Sequence, residues 1–138
     1  MKERSFGRMS SDAPIAIVEQ YLSACEARRL EEAGRFLAPG AALIFPDGRY
    51  GSVVEMVAAA RGRYRWVKKI SAEWDVATRD DGTVVVVNTG TLYGENILGV
   101  PFEGIRYIDR FVLKDGKIIS QQVWNDLDVS GALTRTNR

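Results

Sequence analysis

Apolar residues recur at Ile15, Val18, Leu22 and Cys25 with the three-to-four spacing of a helix, and Glu19, Ser23, Glu26 and Arg29 take its other side. The pattern predicts an amphipathic helix starting at Asp12, a side chain suited to capping it. Tyr21 lies at the edge of the stripe, where its hydroxyl faces either solvent or an interior cavity. Leu30, Ala33, Phe36 and Leu37 predict a second, short helix over 30–37. "APG" at 38–40 ends it, because Pro39 cannot continue a helix and disfavours helical geometry at Ala38. "AALIF" (41–45) reads as a strand and "PDG" (46–48) as a turn. Ser52 and Glu55 in "SVVE" have the capping-box spacing of a third helix, with Val53, Val57, Ala60 and Tyr64 on one face.

Beyond residue 70 the pattern changes from helical to alternating. "ISAEWDVATR", "TVVVVNTGTLY", "GIRYIDRFVL" and "KIISQQVWNDLD" are strand-like, and Asp-Gly pairs at 81–82 and 115–116 mark hairpins. Three helices followed by a meander predict an α+β fold. Residues 1–11 read as a frayed polar arm and 12–138 as a single domain. "YGENILGVPFEG" (93–104) reads as a loop able to form a lip over a cavity mouth.

The odd residue in this pattern is Asp109, a carboxylate inside the strand "YIDRF". A two-residue turn at 115–116 pairs Lys114 with Lys117. It also sets Phe111 opposite Ser120, Asp109 opposite Gln122 and Tyr107 opposite Trp124. One face then carries Tyr107, Asp109, Phe111, Gln122, Trp124 and Asp126. The other carries Arg106, Ile108, Arg110, Gln121, Val123 and Asn125. Aromatics mixed with a few polar anchors suit a small-molecule cavity. The plainer readings of Asp109 are a solvated surface carboxylate or a buried, structurally hydrogen-bonded one.

Composition narrows the chemistry. Nineteen basic and eighteen acidic residues leave a formal charge of +1, which gives no overall basic excess for nucleic-acid binding. The basic run "RGRYRWVKK" (61–69) reads as cations at the end of the third helix, favoured there by its dipole, with an anionic partner as the alternative. The chain contains no histidine, which excludes serine-histidine and cysteine-histidine catalysis and removes the usual metal ligand. The single cysteine, Cys25, has no disulfide partner and reads as a small buried hydrophobe. Proton transfer, if any, falls to carboxylates, tyrosines or lysines tuned by burial. No metal and no cofactor are expected. The polar opening and the absence of a long apolar run predict a cytoplasmic protein without membrane association.

The stretch "VEQYLSACEARRLEEAGRFLAPGAALIFPDG" and the pair "YIDRFVLKDGKI" and "VWNDLD" resemble, in order and spacing, the nuclear transport factor 2-like superfamily, in its SnoaL-like and ketosteroid isomerase-like branch. The resemblance runs from about residue 12 to residue 133. It implies a conical fold in which three N-terminal helices pack on a curved, mostly antiparallel sheet enclosing a pocket. By resemblance to the isomerases, Tyr21 and Asp109 form an oxyanion hole in which a protonated carboxyl donates a hydrogen bond. The isomerases' base precedes a proline at the end of the first strand. Here Phe45 precedes Pro46, and Asp47 substitutes only if its loop folds over the cavity. The epoxide hydrolases of the superfamily use an aspartate, arginine, aspartate relay. Asp109 and Asp126 match its carboxylates, but Tyr107 stands where the arginine belongs. SnoaL-like cyclases require only a carboxyl group in an aromatic pocket.

The expected function is therefore a cofactor-free enzyme or binder acting on an apolar or polycyclic carbonyl compound by carboxyl-tyrosine acid/base chemistry. Asp109, Tyr21 and Asp126 are its candidate catalytic residues. Tyr107, Trp124, Trp74, Phe45, Phe111 and Gln122 are its candidate ligand wall. The alternatives are a non-catalytic dimeric binding or interaction module and an epoxide hydrolase-like enzyme with an incomplete relay. The resemblance also implies a homodimer through the outward sheet residues Ile108, Val123 and Ile119.

Overall fold

In the computed structural model, residues 2–136 are described, with the side chains of 2–11 left aside. Helix α1 (Lys2–Glu26) runs without a break through Asp12 and Pro14, so Asp12 does not cap it. The frayed arm expected over 1–11 falls on side chains outside the described residues. Helices α2 (Leu30–Gly34) and α3 (Val53–Ala60) follow. Six strands complete the chain: β1 (Leu37–Phe45), β2 (Gly48–Tyr50), β3 (Tyr64–Thr78), β4 (Val84–Asn96), β5 (Pro101–Lys114) and β6 (Lys117–Asn125). They form one mixed sheet in the order β2-β1-β6-β5-β4-β3, antiparallel except where β1 runs parallel to β6. This is the expected α+β architecture.

Several local expectations hold for the reasons given. Ser52 Oγ accepts from the Glu55 backbone N–H at 3.2 Å, the capping-box bond that starts α3. Asp115 and Gly116 take φ of 51° and 77°, the two positive values a type I′ hairpin turn needs.

Three expectations are corrected. Helix α2 ends at Gly34 rather than at residue 37, and "APG" lies inside β1. The β1–β6 pairing is irregular between Leu37 and Ala42, which is where a residue lacking an N–H (Pro39) and one with φ of 75° (Gly40) are tolerated. The basic run starts at Arg61, the C-cap of α3, turns over 61–63 and continues from Tyr64 as β3, so most of it is strand rather than helix end. Lys68 and Lys69 therefore point to opposite faces of the sheet. Finally, residues 93–104 continue β4 and β5 as a hairpin, and none of them lines the cavity described below.

The β5–β6 register matters most for the site. Lys114 pairs with Lys117 and Leu113 with Ile118, but then Val112 pairs with Ser120, leaving Ile119 as an extra residue. Every later pair slips by one: Phe111 with Gln121, Asp109 with Val123, Tyr107 with Asn125 and Ile108 with Trp124. A one-residue slip exchanges the two faces of a strand. Gln121, Val123 and Asn125 therefore share the inner face with Asp109, while Gln122 and Trp124 turn outward.

The inner face carries two apolar clusters. One joins Val18, Tyr21 and Ala24 of α1 to Val53, Val57, Val86, Phe111, Leu113 and Ile118. The other joins Leu92, Phe102, Ile105 and Tyr107 to Leu127 and Ala132. Asn88, Asp109 and Gln121 are buried polar residues on the strands that build these clusters. On β5, Asp109 falls between Tyr107 of one cluster and Phe111 of the other, so the polar band marks the seam between them.

Candidate functional site

A cavity of about 360 Å³ opens between α1, α3 and the inner face of the sheet. Phe45, Met56, Val67, Trp74, Leu92 and Val123 give it apolar walls, and Lys69, Ser71, Asn88, Tyr107, Gln121 and Asn125 supply polar groups. Its mouth carries Glu19, Glu26, Arg28, Asp47 and Arg63. Asp47 accepts a hydrogen bond from the Tyr50 hydroxyl at 2.6 Å and lies 3.8 Å from Arg63, which also pairs with Asp128 at 3.4 Å. The β1–β2 hairpin thus folds back far enough to bring Asp47 to the cavity, as its substitution for the missing base requires.

Asp109 is completely buried and is not itself among the side chains lining the cavity. Among the described residues, neither carboxyl oxygen receives a hydrogen bond. Its counter-charge is Lys69, whose Nζ lies 3.6 Å from Oδ2, within ion-pair range but beyond hydrogen-bond length. Burial raises the Asp109 pKa above the ordinary carboxylate value, and the Lys69 charge pulls against that rise. Lys69 lines the cavity, and its Nζ lies 5.1 Å from the centroid of the Tyr107 ring, in cation-π geometry.

Hydrogen bonds join the side chains around this pair without reaching it. Tyr107 donates to Asn88 Oδ1 at 2.6 Å, and Asn88 Nδ2 donates to Ser71 Oγ at 2.6 Å and to the Glu73 carbonyl at 3.0 Å. Burial first, and the nearby Asp109 charge second, push the Tyr107 hydroxyl up to about 12. Tyr21 is fully buried, stacks edge-on against Phe111 and donates to Gln121 Oε1 at 2.7 Å. Burial also holds the Tyr21 hydroxyl well above its usual pKa and raises Cys25, one turn further along α1, to about 11.

A sequence profile of the SnoaL-like domain matches residues 18–121. The chain belongs to the SnoaL-like domain family. Solved structures place this SnoaL-like protein in the nuclear transport factor 2-like fold. TerC, co-crystallised with polyporic acid, is 14% identical, with a TM-score of 0.74 over 89% of this chain and 99% of its own. A nuclear transport factor 2-like protein of unknown function from Burkholderia pseudomallei is 15% identical, with a TM-score of 0.73 over 89% and 98% of the two chains. A candidate ketosteroid isomerase from Shewanella frigidimarina is 16% identical, with a TM-score of 0.67 over 81% and 94%. A search of proteins of curated function returned no match.

Within this SnoaL-like cavity the sequence-predicted residues divide clearly. Tyr107, Trp74 and Phe45 line it; Tyr21, Phe111 and Asp109 lie in the packed layer, outside its lining. Trp124 and Gln122 are on the opposite face because of the β6 bulge, and Trp124 is 46% exposed. Asp126 accepts from Arg106 Nε at 2.7 Å and lies outside the cavity, on an arginine that is 83% exposed. That pair of charges at the surface does not assemble an epoxide-opening relay. Lys69, Asn88, Ser71 and Gln121 were not foreseen as site residues. Period two groups Lys69 with Val67 and Ser71, but the more apolar set, Trp66 and Ile70, is the one that faces outward, so the pattern alone would not have turned Lys69 inward.

Proposed function

We propose that the protein binds a small apolar carbonyl compound and acts on it without a cofactor, by isomerase- or cyclase-like acid/base chemistry. The observation that carries this reading is the 3.6 Å approach of Lys69 to a buried Asp109 at the wall of an otherwise largely apolar cavity. A cation fixed there stabilises the negative charge that grows on a carbonyl oxygen as an enolate forms. Lys69 is the group that meets the ligand, with Tyr107 beside it. Asp109 and Tyr21 are positioning residues: Asp109 holds the ammonium, and Tyr21 orients Gln121 through its hydrogen bond. In this reading Asp47 takes the α-proton, supported by its position at the mouth, where it accepts from Tyr50 and pairs with Arg63. That polyketide cyclase and ketosteroid isomerase candidates share the fold is consistent with a small-molecule role.

The test is α-proton exchange of 2-tetralone in deuterated buffer, followed by proton NMR. The wild type should accelerate exchange over buffer, and Lys69→Met should lose about ten-fold or more of that acceleration, as removal of a charge-stabilising group does. Exchange at the buffer rate with no perturbation of the protein's resonances would sink the reading. Saturable binding without exchange would instead favour a ligand-binding module. A partner role for that module has its own support: Ile70, Ile108 and Trp124 are exposed on the outer sheet face, a surface for self-association. Val123, expected there, is buried on the inner face and takes no part in it.

A further inference from the structure

Lys69 is the cation among the polar groups of the inner cavity wall, and its donors are free. The Tyr107 hydroxyl is committed to Asn88, the Asn88 amide to Ser71 and Glu73, and the Tyr21 hydroxyl to Gln121. An ammonium carries three N–H donors. Among the described residues, Lys69 Nζ makes no hydrogen bond; its contacts are Asp109 Oδ2 at 3.6 Å and the Tyr107 ring face at 5.1 Å. Both hold the charge in place without saturating it. The apolar walls around it, Val67, Leu92, Trp74 and Val123, cannot satisfy those donors.

We infer that the cavity selects an anion: an apolar compound bearing one delocalised oxyanion, of the carboxylate or enolate type, seated on Lys69 and accompanied by uptake of one proton at Asp109. The inference deepens the function proposed above and rests on it, since the same lysine that would stabilise a developing enolate should bind a stable oxyanion in the ground state. Alone, the Lys69–Asp109 pair is neutral. Adding an anion to it places two negative charges against one positive charge, with one of the negative charges fully buried, an arrangement that is unfavourable unless one is neutralised. Asp109 is the group that yields, because no hydrogen bond favours its charged form. The proton comes from solvent, no other bond changes, and the bound state is ligand anion, ammonium and neutral acid.

The groups that face this pair are few. Helix α1 contributes Tyr21 and Cys25, both with pKa values raised by burial so that they stay neutral. Strand β5 contributes Tyr107, also held neutral. From β4 and β6 the cavity wall receives Asn88, Gln121 and Val123, which do not titrate. At the mouth, Glu19, Glu26 and Asp47 are set against Arg28 and Arg63, so the rim does not strongly select either sign.

The experiment is isothermal titration of the full chain with two matched pairs of probes: 2-naphthoate against 2-naphthamide, and 2-hydroxy-1,4-naphthoquinone against its methyl ether. Each anion should bind at least ten-fold more tightly than its neutral partner, and a preference confined to one pair identifies the carboxylate or the enolate as the recognised form. Heats measured near neutral pH in buffers of different ionisation enthalpy should report uptake of up to one proton with the anions and none with the neutral partners. Asp109→Asn should abolish the uptake and tighten anion binding. Lys69→Met should erase the preference, and Lys69→Arg should keep it. Equal affinity within both pairs, or a preference that survives Lys69→Met in a folded variant, overturns the inference. Binding of neither pair by a protein that still exchanges 2-tetralone protons refutes it while leaving the proposed function intact. If both tests fail, the functional reading fails with it.

Discussion

At the scale of the residue, Asp109 imposes a pH dependence on stability whose sign follows from burial. Its folded pKa is raised, so between the ordinary carboxylate value and the raised one the folded state holds a proton that the unfolded state has lost. Stability contributed by this group is therefore present at acidic pH and lost as pH rises through the folded pKa. Asp109→Asn removes that loss. Its melting temperature relative to wild type should climb as the pH rises above the ordinary carboxylate value of about 4 and level off above the raised one. A flat or falling difference in a pH series of thermal melts would mean that Lys69 fully compensates the buried charge. The residue was legible in the sequence because a carboxylate between apolar strand positions breaks the pattern, and Tyr107, Trp74 and Phe45 were legible as aromatics of the same region. Lys69 was not, because five cations near the end of a helix have an ordinary explanation in the helix dipole. Nothing in that run except its period of two reveals a strand.

At the scale of the element, the three helices and five of the six strands could be read from periodicity and turn chemistry, but the short β2 (Gly48–Tyr50) and the faces of β6 could not. The Asp-Gly turn fixes the first pairs of the β5–β6 hairpin, and a single bulge at Ile119 then exchanges Gln122 and Trp124 for Gln121 and Val123. The bulge leaves little trace because Ile118 and Ile119 are both apolar and Ser120, Gln121 and Gln122 are all polar, so the sequence favours neither register. Hydrogen bonds by one side chain can also join elements far apart in the chain. Asn96 is fully buried at the end of β4. Its Nδ2 donates to the carbonyls of Ala132 and Arg135, at 3.0 and 2.9 Å, and its Oδ1 accepts from the N–H groups of Leu98 and Val100. Asn96→Ala leaves these backbone groups without their partner, and each buried unsatisfied group costs about 1–3 kcal/mol. The contributions are not additive, so a net loss of about 3 kcal/mol in urea unfolding is expected. Asn96→Asp retains the acceptor for the β4–β5 turn but sets a buried carboxylate against the Ala132 and Arg135 carbonyls, so it should lose at least as much. A smaller loss in Asn96→Asp would mean that its carboxyl is protonated and donates to one of those carbonyls.

At the scale of the whole molecule, the two faces of the sheet separate two roles. The inner face, with the helices, encloses the cavity; the outer face leaves Ile70, Ile108 and Trp124 exposed at 58%, 45% and 46%. Ile108 and Trp124 are direct cross-strand partners, so their side chains form one patch rather than scattered apolar points. With a formal charge of only +1, long-range repulsion between copies is weak. A symmetric dimer through this patch would contain Trp124 twice, once from each protomer, so a single Trp124→Glu substitution buries two new carboxylates at once. Sedimentation equilibrium should accordingly find dimer for the wild type at about 100 μM and monomer for Trp124→Glu, since an unpaired buried charge costs several kcal/mol. The same variant should bind 2-naphthoate as the wild type does, because Trp124 is across the sheet from Lys69. A monomeric wild type would remove self-association from the function. Loss of naphthoate binding in Trp124→Glu would instead mean that the cavity depends on the sheet being held from both sides.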